Sequence, residues 1–138
     1  MKPFLTALAL TWALAFPAAV HAQDLPKQAV TGVIQNQLDA FGQDDFARAY
    51  TFASPMIKRM FGGPDTFGMM VQQGYPMVWR PSDVTYGDTR AQGDAIFQKV
   101  IITDQAGRMH VLEYEMIAAP DGWQINGVQV LRQPQLGA

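Results

Sequence analysis

One imidazole, one acid and a handful of rings carry most of the chemistry available to this chain. His110 lies in the stretch MHVLEYEMIA, where alternation puts it on one face with Leu112 and Tyr114. An imidazole titrates near neutral pH, so at the mouth of a pocket it can act as a general base. Proton transfer needs a partner, and Asp88 is the acid in phase with Val84 and Tyr86 on an inward strand face. Glu113 and Glu115 fall on the face opposite His110. The plainer expectation is a half-buried histidine at a strand start with no chemistry. Tyr50, Trp79, Arg80, Tyr86, His110, Tyr114 and Trp123 together form a candidate pocket, apolar with a few polar handles. The same rings also read as ordinary aromatic core. Arg80 is a candidate carboxylate clamp or a partner for a nearby acid. Five methionines lie between Met56 and Met77. Thioethers can hold copper(I), but unbranched methionines are also common gap-fillers. No metal and no cofactor is therefore expected, and Met56 or Met69 suits an adaptable protein-binding surface instead.

The elements that must position these groups are legible from periodicity. Val30, Val33, Ile34, Leu38 and Phe41 make one helical stripe over Lys27–Gly42. Asp44 is the expected N-cap of a second helix, with Phe46, Ala49, Tyr50 and Ala53 inward. Ser54-Pro55 starts a third helix, with Ile57, Met60 and Phe61 inward, and Gly62-Gly63 ends it. Pro64-Asp65-Thr66 starts a fourth, with Phe67, Met70 and Val71 inward and Gly74 as its stop. Tyr75-Pro76 then leads to the corner Trp79-Arg80-Pro81.

Beyond Pro81 the period changes from about 3.6 to 2. Strands are predicted over Val84–Thr89, Ala95–Asp104, Met109–Ala118 and Trp123–Leu131, joined by turns at Gly93, Gly107 and Gly122. In the last strand the apolar phase slips between Ile125 and Val128. A bulge at Gly127 would restore it and bring Trp123, Ile125, Val128 and Val130 to one face. The second strand carries apolar residues on both faces. Phe97 and Ile101, opposite its core face, suggest a homodimer packed sheet to sheet. A loop or tail folded over them is the alternative.

Met1-Lys2, the apolar run Phe4–Phe16 and the small residues up to Ala22 form a secretory leader with cleavage expected before Gln23. The apolar run is too short and too interrupted for a retained span. Removing 1–22 leaves 116 residues: a linker over 23–26, one domain over 27–131 and a tail over 132–138. Loss of Lys2 reduces ten basic side chains to nine, against twelve acidic ones, for a net charge near −3. Such a balance disfavours nucleic acid, which requires a basic surface. Cysteine is absent, excluding disulfides and thiolate chemistry. The expected product is periplasmic or secreted, in a Gram-negative-type bacterium, with no stable membrane insertion.

The stretch QLDAFGQDDFARAYTFASPMIKRMFGGPDTFGMMVQQGYPMVWRP, followed by DGWQINGVQV, resembles the bacterial family catalogued as domain of unknown function 4864. The residues that carry this are Phe52-Ala53-Ser54-Pro55, Phe61, Phe67, Tyr75-Pro76 and Asp121-Gly122-Trp123, and the likeness spans roughly Val30–Leu131. It implies a nuclear-transport-factor-two-like cone, the fold class of ketosteroid isomerase and scytalone dehydratase, and no particular activity. The expected fold class is thus α+β, with N-terminal helices packed in the concave face of a curved antiparallel sheet of about four strands. The leading functional expectation is a binding module for a small apolar ligand or a protein partner. A small enzyme using His110 and an assembly protein dimerising through its outer sheet face are the alternatives.

Overall fold

The computed structural model describes residues 25–131. The leader, its cleavage position, the first two linker residues and the tail lie outside the described residues. Among the described residues no helix is long and apolar enough to cross a membrane.

The helix α1, Lys27–Gly42, forms as its stripe dictates: Val30, Ile34, Leu38 and Phe41 are buried, together with Ala40 and Gln37. Two short helices follow, α2 over Phe46–Thr51 and α3 over Pro55–Phe61. Then come α4, Pro64–Gly74, and a single turn α5, Pro76–Trp79, which the sequence reading did not anticipate. The cap of α2 is Asp45 rather than Asp44: its carboxylate accepts from the Arg48 N–H at 3.1 Å. Asp44 instead takes a left-handed backbone, φ 54°, at the reversal between α1 and α2. Aspartate tolerates this conformation better than most residues. Ser54 caps α3 as expected, accepting from the Ile57 N–H at 3.4 Å with Pro55 in the first turn.

The four strands β1 (Asp83–Gln92), β2 (Ala95–Thr103), β3 (Met109–Ala119) and β4 (Gly122–Leu131) form an antiparallel meander in the order β1-β2-β3-β4. Helices cover one face, so the architecture is α+β. On that face Tyr86, Val100, Leu112 and Val130 run across the sheet in register, as do Ile96, Met116 and Ile125. The core joins these residues to the α1 stripe and to Ala49, Phe67, Val71 and Val78.

Two bulges shape the sheet. In β4, Glu115 pairs with Gly127 and Met116 with Ile125, leaving Asn126 as the extra residue. The phase slip read from the sequence is therefore real, and Trp123, Ile125, Val128 and Val130 share the helix-facing side. In β1, Tyr86 pairs with Val100 and Thr89 with Gln98, so Gly87 and Asp88 together face only Lys99. This second bulge was not foreseen, and it takes Asp88 out of the inward phase.

The chain between α2 and α3 is stitched to the sheet. Ala53 bridges Ile125 in parallel; Ser54 N–H donates to Ile125 O at 2.8 Å and Ile125 N–H to Phe52 O at 2.9 Å. Helices α2 and α4 meet closely because Gly68 has no side chain. A Cβ there would lie 2.6 Å from Phe46 Cγ. Phe67 next to it is a hub, its ring 5.7 Å from Phe41, 5.6 Å from Tyr50 and 5.7 Å from Phe61.

Candidate functional site

A cavity of about 350 Å³ lies between α3, α4 and the bulged part of β4. Its floor is the sheet: Tyr114, Ile125, Asn126, Gly127 and Val128. The helical walls are Phe67, Met70 and Val71 of α4, with Phe41 and Gln37 of α1 behind them. Helix α3 supplies Met56, Ile57, Met60 and Phe61. Met56 is 43% and Met60 66% exposed, so the cavity opens along α3. The expectation that Met60 faces the core is corrected: no residue of α3 is buried. Ile57 and Phe61 are half-buried against the core and also line the cavity.

The side chains with polar groups in the lining are Gln37, Tyr75, Tyr114 and Asn126. Asn126 is engaged on both sides, its Oδ1 accepting from Ser54 Oγ at 2.7 Å and its Nδ2 donating to Glu115 Oε2 at 2.9 Å. Gln37 Nε2 donates to Ala49 O at 3.1 Å. The Tyr114 hydroxyl is buried without a hydrogen-bond partner, and among the described residues it is the one side-chain polar atom in that state. Burial holds this phenol neutral well above its usual range, and the nearby Tyr86 and Tyr75 phenols add to the effect.

Of the candidate pocket residues Tyr50, Trp79, Arg80, Tyr86, His110, Tyr114 and Trp123, Tyr114 alone lines this cavity. The others are placed elsewhere by specific partners. Tyr50 donates to Lys58 O at 2.6 Å, holding α2 to α3. Tyr86 donates to Gln35 Oε1 at 2.7 Å; burial and the Asp39 carboxylate push its phenol up to about 12. Trp123 is half-buried against the core.

Trp79 and Arg80 line a second, shallower depression with Gln35, Asp39 and Arg48. Both grip Asp44, Trp79 Nε1 at 2.8 Å and an Arg80 nitrogen at 2.9 Å. These two hydrogen bonds, Trp79's first, hold the Asp44 carboxyl below its ordinary range. Arg80 also donates to Phe41 O at 2.9 Å. It thus ties the corner to the end of α1, as the nearby-acid reading had it.

The Asp88–His110 pair is not formed by a shared inward face. Asp88 is exposed at the β1 bulge. His110 Nε2 lies 2.9 Å from Asp104 Oδ2. The other Asp104 oxygen accepts from the N–H groups of Ala106 and Arg108, both at 2.9 Å. Asp104, its carboxyl held below the usual range by His110 and these two amides, organises the β2–β3 turn. The imidazole is part of that turn.

On the outer sheet face Phe97 is half-buried, with the Arg90 guanidinium 4.4 Å from its ring centre. Arg90 also pairs with Glu113 at 2.8 Å. Ile101 is half-buried beside Val111. Among the described residues no three His, Asp or Glu side chains gather as metal ligands.

The part of the lining that α3 supplies was missed because the sequence places the inward stripe of that helix in the core. The signal was present in the methionines: Met56, Met60 and Met70 all line the cavity. No curated protein matches the chain. The family described as Domain of unknown function (DUF4864) matches over residues 23–138, and the chain belongs to it.

Proposed function

We propose that the protein is an exported binding module that holds a small apolar molecule between α3, α4 and β4. The observation that carries this is an open cavity of about 350 Å³ walled by thioethers, aliphatic groups and rings. It falls within the size range of small-molecule sites, roughly 300–1,000 Å³. A defect in packing would be expected to collapse or to lie sealed; this one opens at Met56 and Met60. The methionines also suit binding, since unbranched side chains reshape around varied apolar partners.

The export reading rests on the leader pattern in residues 1–22. The family match beginning at residue 23, next to the expected cleavage position, supports it. The cone reading is supported by the order of a long first helix laid on a bulged antiparallel meander. On this reading the cavity is the wide end of the cone, with α3 as its rim.

N-phenylnaphthylamine, an uncharged probe that fluoresces in apolar surroundings, tests the proposal. Enhanced fluorescence with saturable binding at one site per chain is the expected result. An unchanged signal, together with bare chain mass in native mass spectrometry of protein from its own host, would overturn it.

A further inference from the structure

We propose that the cavity selects uncharged amphiphiles, an apolar body bearing one acceptor oxygen such as a ketone or alcohol, over the carboxylate of equal length. This rests on the binding reading above. Three observations lead to it.

The first is the complete lack of ionisable cations and acids in the lining. No Lys, Arg, His, Asp or Glu contributes to it. A carboxylate entering would lose its hydration and find no positive partner, and unpaired buried charge is strongly penalised. An uncharged oxygen loses far less.

The second is the state of the polar groups that are present. Asn126 spends both ends of its amide on Ser54 and Glu115, and Gln37 donates to a backbone carbonyl. Tyr75 adds a half-buried phenol, and Tyr114 has a fully buried hydroxyl with no partner. Native proteins pair nearly all buried polar atoms, so an orphan at a cavity wall marks a donor awaiting an acceptor. The phenol stays protonated across the whole physiological range, so it remains a donor there. Tyr114 is fully buried, which places the hydroxyl in the wall, not in the open space. An incoming oxygen reaches it when a neighbouring side chain gives way; Tyr75, half-buried in the same lining, lies near this phenol.

The third is size. A volume of about 350 Å³ is near the small end for ligand sites. It suits a ten-carbon chain or a pair of fused rings and excludes a phospholipid with two full chains.

The test is displacement of N-phenylnaphthylamine near neutral pH by three compounds of matched length: methyl octyl ketone, decyl alcohol and decanoate. It is run on the wild-type protein and on Tyr114→Phe, which removes one oxygen and keeps the ring. Ketone and alcohol are expected to displace the probe, with decanoate weaker by about tenfold or more. Tyr114→Phe should weaken the ketone about fivefold. It should leave probe affinity within about twofold, since the probe's binding is mainly apolar. The ligand-free variant should melt no lower than wild type, because an unpaired hydroxyl has been removed.

Decanoate binding as tightly as the ketone would overturn the proposal, as would a ketone indifferent to Tyr114→Phe or a variant that melts clearly lower. In each of those cases the probe still binds and the binding reading survives. Absence of probe binding in the wild type would strike that reading itself.

Discussion

The two sides of the helix layer are built from similar residues and packed to different ends. Along α1 the stripe Val30, Ile34 and Leu38 meets a sheet face where Val100, Ile102, Leu112 and Met116 are all sealed from solvent. Along α3 the stripe Ile57, Met60 and Phe61 borders the cavity, and none of its residues is fully buried. Hydrophobic periodicity is present in both. What differs is side-chain shape and backbone anchoring. The sealed side uses branched aliphatic residues on a sixteen-residue helix. The open side uses methionines on a seven-residue helix held at its start by Ser54 and ended at Gly62, φ 75°. A pattern of apolar residues specifies which face turns inward; it does not specify that the space beneath is filled.

Truncation in the sealed half should show the largest effect. Leu112 is fully buried, paired with Val100 on one side and Val130 on the other. Leu112→Ala is expected to cost about 3 kcal/mol, the transfer term plus the cavity left in a region that cannot relax. Urea unfolding followed by circular dichroism measures it. A loss below about 1 kcal/mol would mean the sealed half is as loosely filled as the open one, and the contrast would disappear.

The next effect tests the anchor of α3. Ser54 is fully buried, accepts from the Ile57 N–H and donates to Asn126. Ser54→Ala removes the helix cap and leaves the Asn126 oxygen without its donor, for a cost of about 2 kcal/mol. If the helix is a separately held rim, hydrogen exchange should accelerate over Pro55–Phe61 and leave the amides of α1 unchanged. Equal acceleration in both would show that the two sides unfold as one unit.

Much of this was legible in the sequence, and the exceptions share a cause. The β4 bulge could be read because apolar residues lie on both sides of it, so the slip from Ile125 to Val128 is visible. The β1 bulge could not, because Gly87, Asp88, Thr89 and Arg90 carry no apolar phase to slip. Counting straight through it put Asp88 inward. Asp44 and Asp45 are adjacent acids of equal capping ability. Only the backbone reversal after α1 decides between them, by placing Asp44 at positive φ.

The site was less legible still. Tyr50, Tyr86 and His110 each lie where periodicity puts a usable polar group. Each is bound by an atom far away or in a turn: Lys58 O, Gln35 Oε1 and Asp104 Oδ2. Such pairings leave no trace in local spacing. Tyr114 differs because no partner reached it.

The smallest effect on stability discriminates most sharply between the two sides. Met60 is 66% exposed yet lines the cavity. On the sealed side a residue that matters to the core is one that solvent cannot touch. On the open side the two properties coexist, because a rim residue contacts a ligand on one flank and water on the other. Met60→Ala should therefore change the unfolding free energy by less than about 0.5 kcal/mol, the usual range for surface substitutions. It should also weaken N-phenylnaphthylamine about threefold, from the apolar contact a bound probe would lose. A stability loss of about 2 kcal/mol with unchanged probe affinity would mean that α3 is core after all. The cavity beneath it would then be a gap in the packing, not a place where something binds.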